Sequence, residues 1–302
     1  MQTVTRDRTS YVFDRRLEPV ARVQPGETIT VETEDSCGGL VRTVEQTSSE
    51  ALNRVLSRGY GNPVTGPIYV EGAEPGDAIS VTIQHIEPDS QGYVGHELIT
   101  SHFPEWFDDN RIVLCGIEDE QVHFGDLRIP IRPLLGTIGT APAMEVLLSV
   151  TAGRHGGNMD CPDVAAGCVI HLPVYVDGAL LFLGDVHAVQ GDGELSGAGL
   201  ETRSTVTLTI SVRKPRPQSM TWPRLETPDS IMVIAADRPL ESAVKLALRD
   251  MVLWLEEEYG WTKSDAYMLL SLVGSGRACQ SCGWSIYPFT ASVRVPRAYL
   301  QR

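Results

Sequence analysis

Two short segments hold most of the residues that could do chemistry. GDVHAVQGDGE (184–194) places Asp185, His187, Asp192 and Glu194 within eleven residues, with Gly184, Gly191 and Gly193 between them. GRHGGNMDCPD (153–163) supplies His155, Asn158 and Asp160 around the Gly156-Gly157 pair. Read singly, each is a polar turn: Asp and Asn cap, glycines take positive φ, and His187 is a core histidine. Read together they suggest a site. Imidazole with carboxylates suits a divalent cation, zinc first, with calcium or another divalent ion as alternatives. Such an ion lowers the pKa of bound water and makes a nucleophile near neutral pH, while a spare carboxylate moves the proton.

Something must bring the two segments together. Between them lie the apolar runs 169–176 and 178–183, with Asp177-Gly178 as a hairpin-type signal. Paired as antiparallel strands, these runs would present both polar segments at one end of a sheet. Other strand-like runs are ETITVET (27–33) and the period-two TRSTVTLTISVRK (202–214). GPIYVEGAEPGDAISVTIQHIEP (66–88) has two apolar runs around EPGD, which suits a further hairpin. Helical periodicity is expected over 48–58, 239–260 and 262–273, the last with Thr262 as N-cap and Asp265 three residues on. Strands first and helices last predict a mainly β, β-sandwich-like fold of antiparallel sheets, with a smaller α+β C-terminal portion carrying two helices. The expected division is a β-rich portion, 1–213, holding the polar motifs, and an α+β portion, 214–302, packed with it as one unit.

Composition excludes other classes. The chain of 302 residues is 42% hydrophobic and 21% charged, ordinary for a globular protein large enough to bury a sizeable core. A net charge of −14 argues against nucleic acid or an anionic membrane as partner. The apolar stretch 164–183 is interrupted by His171, Pro173 and Asp177 and reads as strands, not a membrane span. No signal peptide is visible and cysteines are sparse, so a cytoplasmic location is expected. The helix at 239–260, with Leu253 and Trp254, is a candidate to pack on its own core or on another subunit of a homodimer.

Several signatures fail. There is no Walker-type phosphate loop and no G-x-S-x-G elbow. In HELITSH the histidines are six apart, not the four that a zinc-protease helix needs. A histidine and an alanine occupy positions where an EF-hand needs oxygen ligands. Cys279 and Cys282 form a C-x-x-C with no second pair and read as plain cysteines. The three lysines, Lys214, Lys245 and Lys263, all lie beyond the polar motifs, which weighs against lysine-assisted amide hydrolases.

GRHGGNMD, LPVYVDGALLFLGDVHAVQGDGE, NPVTGPIYVEGAEPGD, PIRPLLGTIGTAPA and ETEDSCGG together resemble the acetamidase/formamidase family over most of the chain. The resemblance implies a β-rich fold, a divalent metal and hydrolysis of a small linear carboxamide to ammonia and a carboxylate. Carried over by position, the family's acidic segment falls on Glu34 and Asp35, its HGGNMD on residues 155–160, and its GDxHAxxGDGE on Asp185, His187, Asp192 and Glu194. From chemistry we expect His187, Asp160 and Asp35 as metal ligands, with Asp185 a further ligand or a partner fixing the imidazole. Glu194 is the expected general base, His155 the group that polarises the carbonyl or protonates ammonia, and Gly156 and Gly157 the oxyanion donors. Glu34 and Asp192 are reserves. Two departures, Leu40 and Arg154, are expected to border the pocket, where a cation would favour an anionic or larger amide. The alternatives are a hydrolase of formyl, carbamoyl or amide groups on an intermediate of specialised metabolism, and a non-catalytic β-sandwich stiffened by a metal.

Overall fold

The computed structural model describes residues 1–48, 61–282 and 287–300. The strands that matter below are β1 (Gln2–Val4), β2 (Thr28–Thr33), β3 (Val64–Val70), β4 (Ala78–Pro88), β5 (Gln91–His96) and β6 (Leu134–Thr140). They continue with β7 (Gly156–Asn158), β8 (Val169–Pro173), β9 (Leu181–His187), β10 (Glu201–Thr202) and β11 (Ser204–Arg213). Last come β12 (Arg224–Glu226), β13 (Ser230–Asp237), helices α1 (Leu240–Tyr259) and α2 (Lys263–Val273), β14 (Ser275–Gln280) and β15 (Phe289–Pro296).

Two large, mostly antiparallel sheets make the body. One runs β1-β2-β11-β4-β8-β12-β13-β15-β14, so its strands come from both ends of the chain. The other has β5-β10-β9-β6-β7 at its centre, with β3 also pairing β9. β11 shows why such segments become strands: Val206, Leu208 and Ile210 are buried, while Thr205, Thr207 and Thr209 between them are half-exposed. One core cluster takes Ile29, Ile83, Ile170 and Leu208 from the first sheet and Leu135, Ile138, Leu181 and Leu183 from the second, so the sheets stack face to face. β9 is buried throughout, because on its other side Phe182 packs with Phe13, Val64 and Leu180.

α1 lays Ala243, Ala247, Met251, Trp254 and Leu255 against its own sheet, contacting β13 and β15. It stops at Gly260 in the left-handed conformation, φ 70°. At the start of α2, the Thr262 side chain accepts a hydrogen bond from the Asp265 N–H at 3.1 Å. The helix expected at 48–58 lies, beyond Ser48, outside the described residues. Among the described residues no helix is long and apolar enough to cross a membrane.

Both expected hairpins are corrected. The runs flanking EPGD become β3 and β4, which belong to different sheets. The runs flanking Asp177-Gly178 become β8 and β9, again one in each sheet. The polar turns are corners between layers, not hairpin loops. Gly178, Ala179 and Leu180 have φ of 72°, 58° and 53°, three consecutive left-handed residues that swing the chain across the sandwich. A Cβ on Gly178 would lie 2.2 Å from the Tyr69 ring, so glycine is needed here for space as well as conformation.

Candidate active site

The two polar segments converge, though not by the expected route. Both β7 and β9 pair with β6, which sits between them: Thr137 faces Asn158 on one side and Gly184 on the other. β6 also provides the space. A Cβ on Gly136 would lie 2.5 Å from Asp160 Oδ1 and 2.6 Å from the Asp185 carbonyl oxygen. Glycine there lets two carboxylates approach one strand.

Asp160, Asp185 and Glu194 all have left-handed backbones, with φ of 43°, 56° and 45°. Each costs on the order of 1 kcal/mol for a residue with a Cβ. In β9 this conformation breaks the alternation. Leu181 and Leu183 enter the main core, and past Asp185 it is Val186 that does so. The Asp185 carboxylate is thereby turned away from the apolar layer.

The cluster consists of Asp160, Asp185, His187, Glu194 and Glu201, all at most 5% exposed. Two overlapping sets, Asp160/Asp185/His187 and His187/Glu194/Glu201, each bring one ligand-type atom per residue within 4.8 Å of one another. His187 Nε2 lies 3.1 Å from Glu201 Oε1 and 3.6 Å from Asp185 Oδ1. Neutral donors tie down one oxygen of each aspartate. Asp160 Oδ2 accepts from Asn158 Nδ2 and Gln280 Nε2. Asp185 Oδ2 accepts from Asn62 Nδ2 at 2.8 Å and Thr137 Oγ1 at 3.2 Å. That leaves Asp160 Oδ1, Asp185 Oδ1, His187 Nε2 and Glu201 Oε2 buried with no hydrogen-bond partner among the described residues. Glu194 differs: Oε1 accepts from the Gly199 N–H at 3.0 Å and Oε2 from Gln280 Nε2 at 3.1 Å.

The imidazole tautomer follows from Gln190. Its Nε2 donates to the carbonyls of Asp160 (2.7 Å) and Cys279 (3.2 Å), so its Oε1 must be the atom 2.7 Å from His187 Nδ1. His187 therefore donates from Nδ1, and in its neutral form keeps a lone pair on Nε2, directed at the acids.

Burial pushes the carboxyls of Asp160 and Glu194 up, and that of Glu201 up to about 8. Neighbouring carboxylates raise Asp160 further. Burial alone would lower His187, but Glu201 and Asp185 outweigh it and hold the imidazole above its ordinary value. Four buried carboxylates cannot all ionise against one imidazole without a further positive charge. Four buried O and N atoms without partners among the described residues, in an excess of negative charge, fit a divalent cation.

Gly199 holds the ring from behind. A Cβ there would lie 2.5 Å from His187 Nδ1 and 2.6 Å from its Cγ. Gly199→Ala is expected to tilt the imidazole off Gln190 and lower metal affinity by about 10- to 100-fold, the range for loss of an orienting contact. Titrating the apoprotein with zinc checks this; unaltered affinity would show that ring placement is not set here.

The remaining expected residues lie elsewhere. Asp35 is outside both converging sets; its Oδ1 accepts from the N–H groups of Cys37 and Gly39, closing a turn, and burial raises its carboxyl to about 6. Glu34 pairs with Arg203, and Asp192 is half-exposed beside Arg277 at 3.4 Å. His155 packs edge-on against Phe13, ring centroids 4.8 Å apart, and burial lowers it to about 4, so it is a neutral core ring. The Gly156 N–H is spent on the Gly153 carbonyl, and Gly157 sits opposite Ile138 in the β6–β7 ladder. A Cβ on Gly157 would lie 2.1 Å from the Thr151 carbonyl oxygen, so the pair serves close packing. Arg154 is exposed over Trp222, and neither it nor Leu40 is among the described residues lining the cavity beside the cluster. Cys279 and Cys282 form no disulfide.

Asp160, Asp185, Glu194 and Glu201 line a cavity of about 570 Å³, together with Asn62, Asn158 and Gln280. Sequence reasoning missed Glu201, Gln190, Gln280, Asn62 and Thr137 as parts of this cluster. Gln190 and Asn158 stood inside the two motifs, where an amide flanked by candidate ligands was a usable signal.

The acetamidase/formamidase family model matches residues 6–153 and 147–281. The chain is 34% identical to an acetamidase from Bacillus halodurans of known structure, covering 98% of each chain with a TM-score of 0.91. It is 30% identical to the acetamidase of Yersinia enterocolitica, over 100% of this chain and 93% of that one, with a TM-score of 0.90. It is 27% identical to a formamidase of Methylophilus methylotrophus, over 61% of this chain and 58% of that protein. The chain spans about three fifths of the length of the curated relatives it matches.

Proposed function

The chain belongs to the acetamidase/formamidase family, and on that premise we propose that it hydrolyses a carboxamide to ammonia and a carboxylate at the Asp160–His187–Glu201 cluster. The observation that carries this reading is that His187 and three acids lining the cavity, Asp160, Asp185 and Glu201, each keep a buried ligand-type atom with no partner among the described residues, within two close sets that share His187. In this reading Asp160, Asp185, His187 and Glu201 hold a divalent ion, zinc by the chemistry of one imidazole with carboxylates. Bound there, such an ion acidifies water and polarises a carbonyl oxygen.

The chain's own residues do the rest. Gln190 keeps the His187 proton on Nδ1 and so keeps Nε2 available. Asn62, Thr137, Asn158 and Gln280 fix the rotation of the two aspartates before any ligand arrives. Both Glu194 oxygens are already satisfied, so it is assigned to proton transfer. Glu194 takes the proton of the attacking water at Oε2. As the tetrahedral adduct collapses and the C–N bond breaks, it passes that proton to the departing nitrogen, which leaves as ammonia. Burial raises the Glu194 carboxyl, which suits it to giving the proton back.

The test is ammonia release from a panel of carboxamides by the purified protein and by His187→Ala. Release by the wild type that falls by at least about 100-fold in the variant is expected. Equal release by both proteins would overturn the assignment.

A further inference from the structure

The cavity is much larger than the substrates after which the family is named. Formamide has three heavy atoms and acetamide four; at the roughly 30 Å³ that liquid water gives each heavy atom, either fills on the order of 100 Å³. The cavity has about 570 Å³, within the range that encloses drug-sized ligands. Away from the carboxylates its wall is mixed, with Tyr11, Tyr93, Ile99, Ile112, Leu148 and Val150 forming an apolar part beside polar groups such as His96 and Asn110. Ile99 is 72% and Leu148 41% exposed among the described residues, so part of this apolar lining is open to a ligand. No Lys or Arg stands among the described lining residues, while Glu97 joins the four site carboxylates there.

From this geometry we infer that the enzyme acts on carboxamides whose acyl group is bulky and apolar, aryl or branched alkyl, and not anionic. The inference rests on the amide-hydrolase reading above. The carboxamide end meets the Asp160–Glu201 cluster. The acyl group displaces water from the Tyr11, Ile112 and Leu148 wall, and binding there positions the scissile carbon. A small amide leaves that wall wet and its own position loose. An anionic acyl group would meet Glu97 and, among the described lining residues, no Lys or Arg to pair with it.

The experiment is kcat/KM for ammonia release from formamide, acetamide, isobutyramide, benzamide, phenylacetamide and succinamic acid, with the metal-loaded wild type. One methylene in a hydrophobic pocket is worth about 10- to 200-fold, so phenylacetamide or benzamide is expected to exceed acetamide by on the order of 100-fold or more, with succinamic acid below acetamide. Ile112→Trp and Leu148→Trp, each checked for an unchanged circular dichroism spectrum, are expected to lower the phenylacetamide-to-acetamide ratio by at least about tenfold. Acetamide or succinamic acid turned over best would overturn the inference and leave amide hydrolysis standing. A ratio unmoved in both folded variants would overturn it as well. No ammonia from any amide would instead overturn the proposed function on which it rests.

Discussion

Glu201→Gln is expected to reduce kcat/KM for amide hydrolysis by at least about 100-fold while leaving the fold intact. The side chain is 3% exposed and its Oε1 lies 3.1 Å from His187 Nε2, with Oε2 unsatisfied. Glutamine keeps the shape and removes the charge. It also places an N–H₂ donor beside the His187 Nε2 lone pair, so the amide engages an atom that a cation would need. Loss of an anionic group that holds or orients a metal costs at least the 10- to 100-fold seen for outer contacts. The readout is steady-state ammonia release together with the metal content of the same sample. A variant within threefold of wild type in both would remove Glu201 from the site.

The second large effect is a pH-dependent loss of stability in metal-free protein. Burial, the main cause, raises the carboxyls of Asp160 and Glu194, and brings Glu201 from an ordinary 4.5 to about 8. The His187 imidazole is also raised, because its acidic neighbours outweigh its burial. All four changes have one sign. Between pH 4.5 and 8 the folded form holds protons that the unfolded chain has released, so stability falls as pH rises through that window. For a chain of this size a few kcal/mol is on the order of 5–10 °C in Tm. Chelated protein is therefore expected to melt on the order of 5–10 °C lower at pH 8 than at pH 5. Protein with zinc restored should lose that dependence or invert it, since metal binding displaces those protons. Parallel melting curves with and without chelator at both pH values would contradict a cation site here.

Much of the site was legible because the chemistry is dense in the chain. Asp160, Asp185, His187 and Glu194 stand in two glycine-rich segments that few structural roles require together. Glu201 was not legible: it begins an ordinary alternating run, and nothing in ETRSTVTLT separates it from a solvent-facing acid. Only the pairing of β10 with β9, which sets Glu201 opposite His187, reveals it. Thr137 was hidden likewise in the apolar run of β6.

The misread hairpins have a single cause. Periodicity reports how deeply a run is buried, not which strand it pairs with. The segments that became β8 and β9 are apolar because both strands are almost wholly buried, one in each sheet. A tight polar turn serves a corner between layers as readily as a hairpin. In the sequence, His155 and the Gly156-Gly157 pair suggest chemistry because they adjoin Asp160. A Cβ on Gly156 would lie 2.3 Å from the Ile138 carbonyl oxygen, so glycine there lets β7 approach β6 closely.

The central claim is that the buried acid–imidazole cluster works by holding a divalent ion. Elemental analysis of the purified protein, paired with ammonia release from one carboxamide before chelation, after it and after metal is restored, tests it most directly. The account predicts close to one equivalent or more of a divalent metal per chain, activity lost with the metal and recovered on its return, and neither in His187→Ala. Full activity in protein stripped of metal would contradict it.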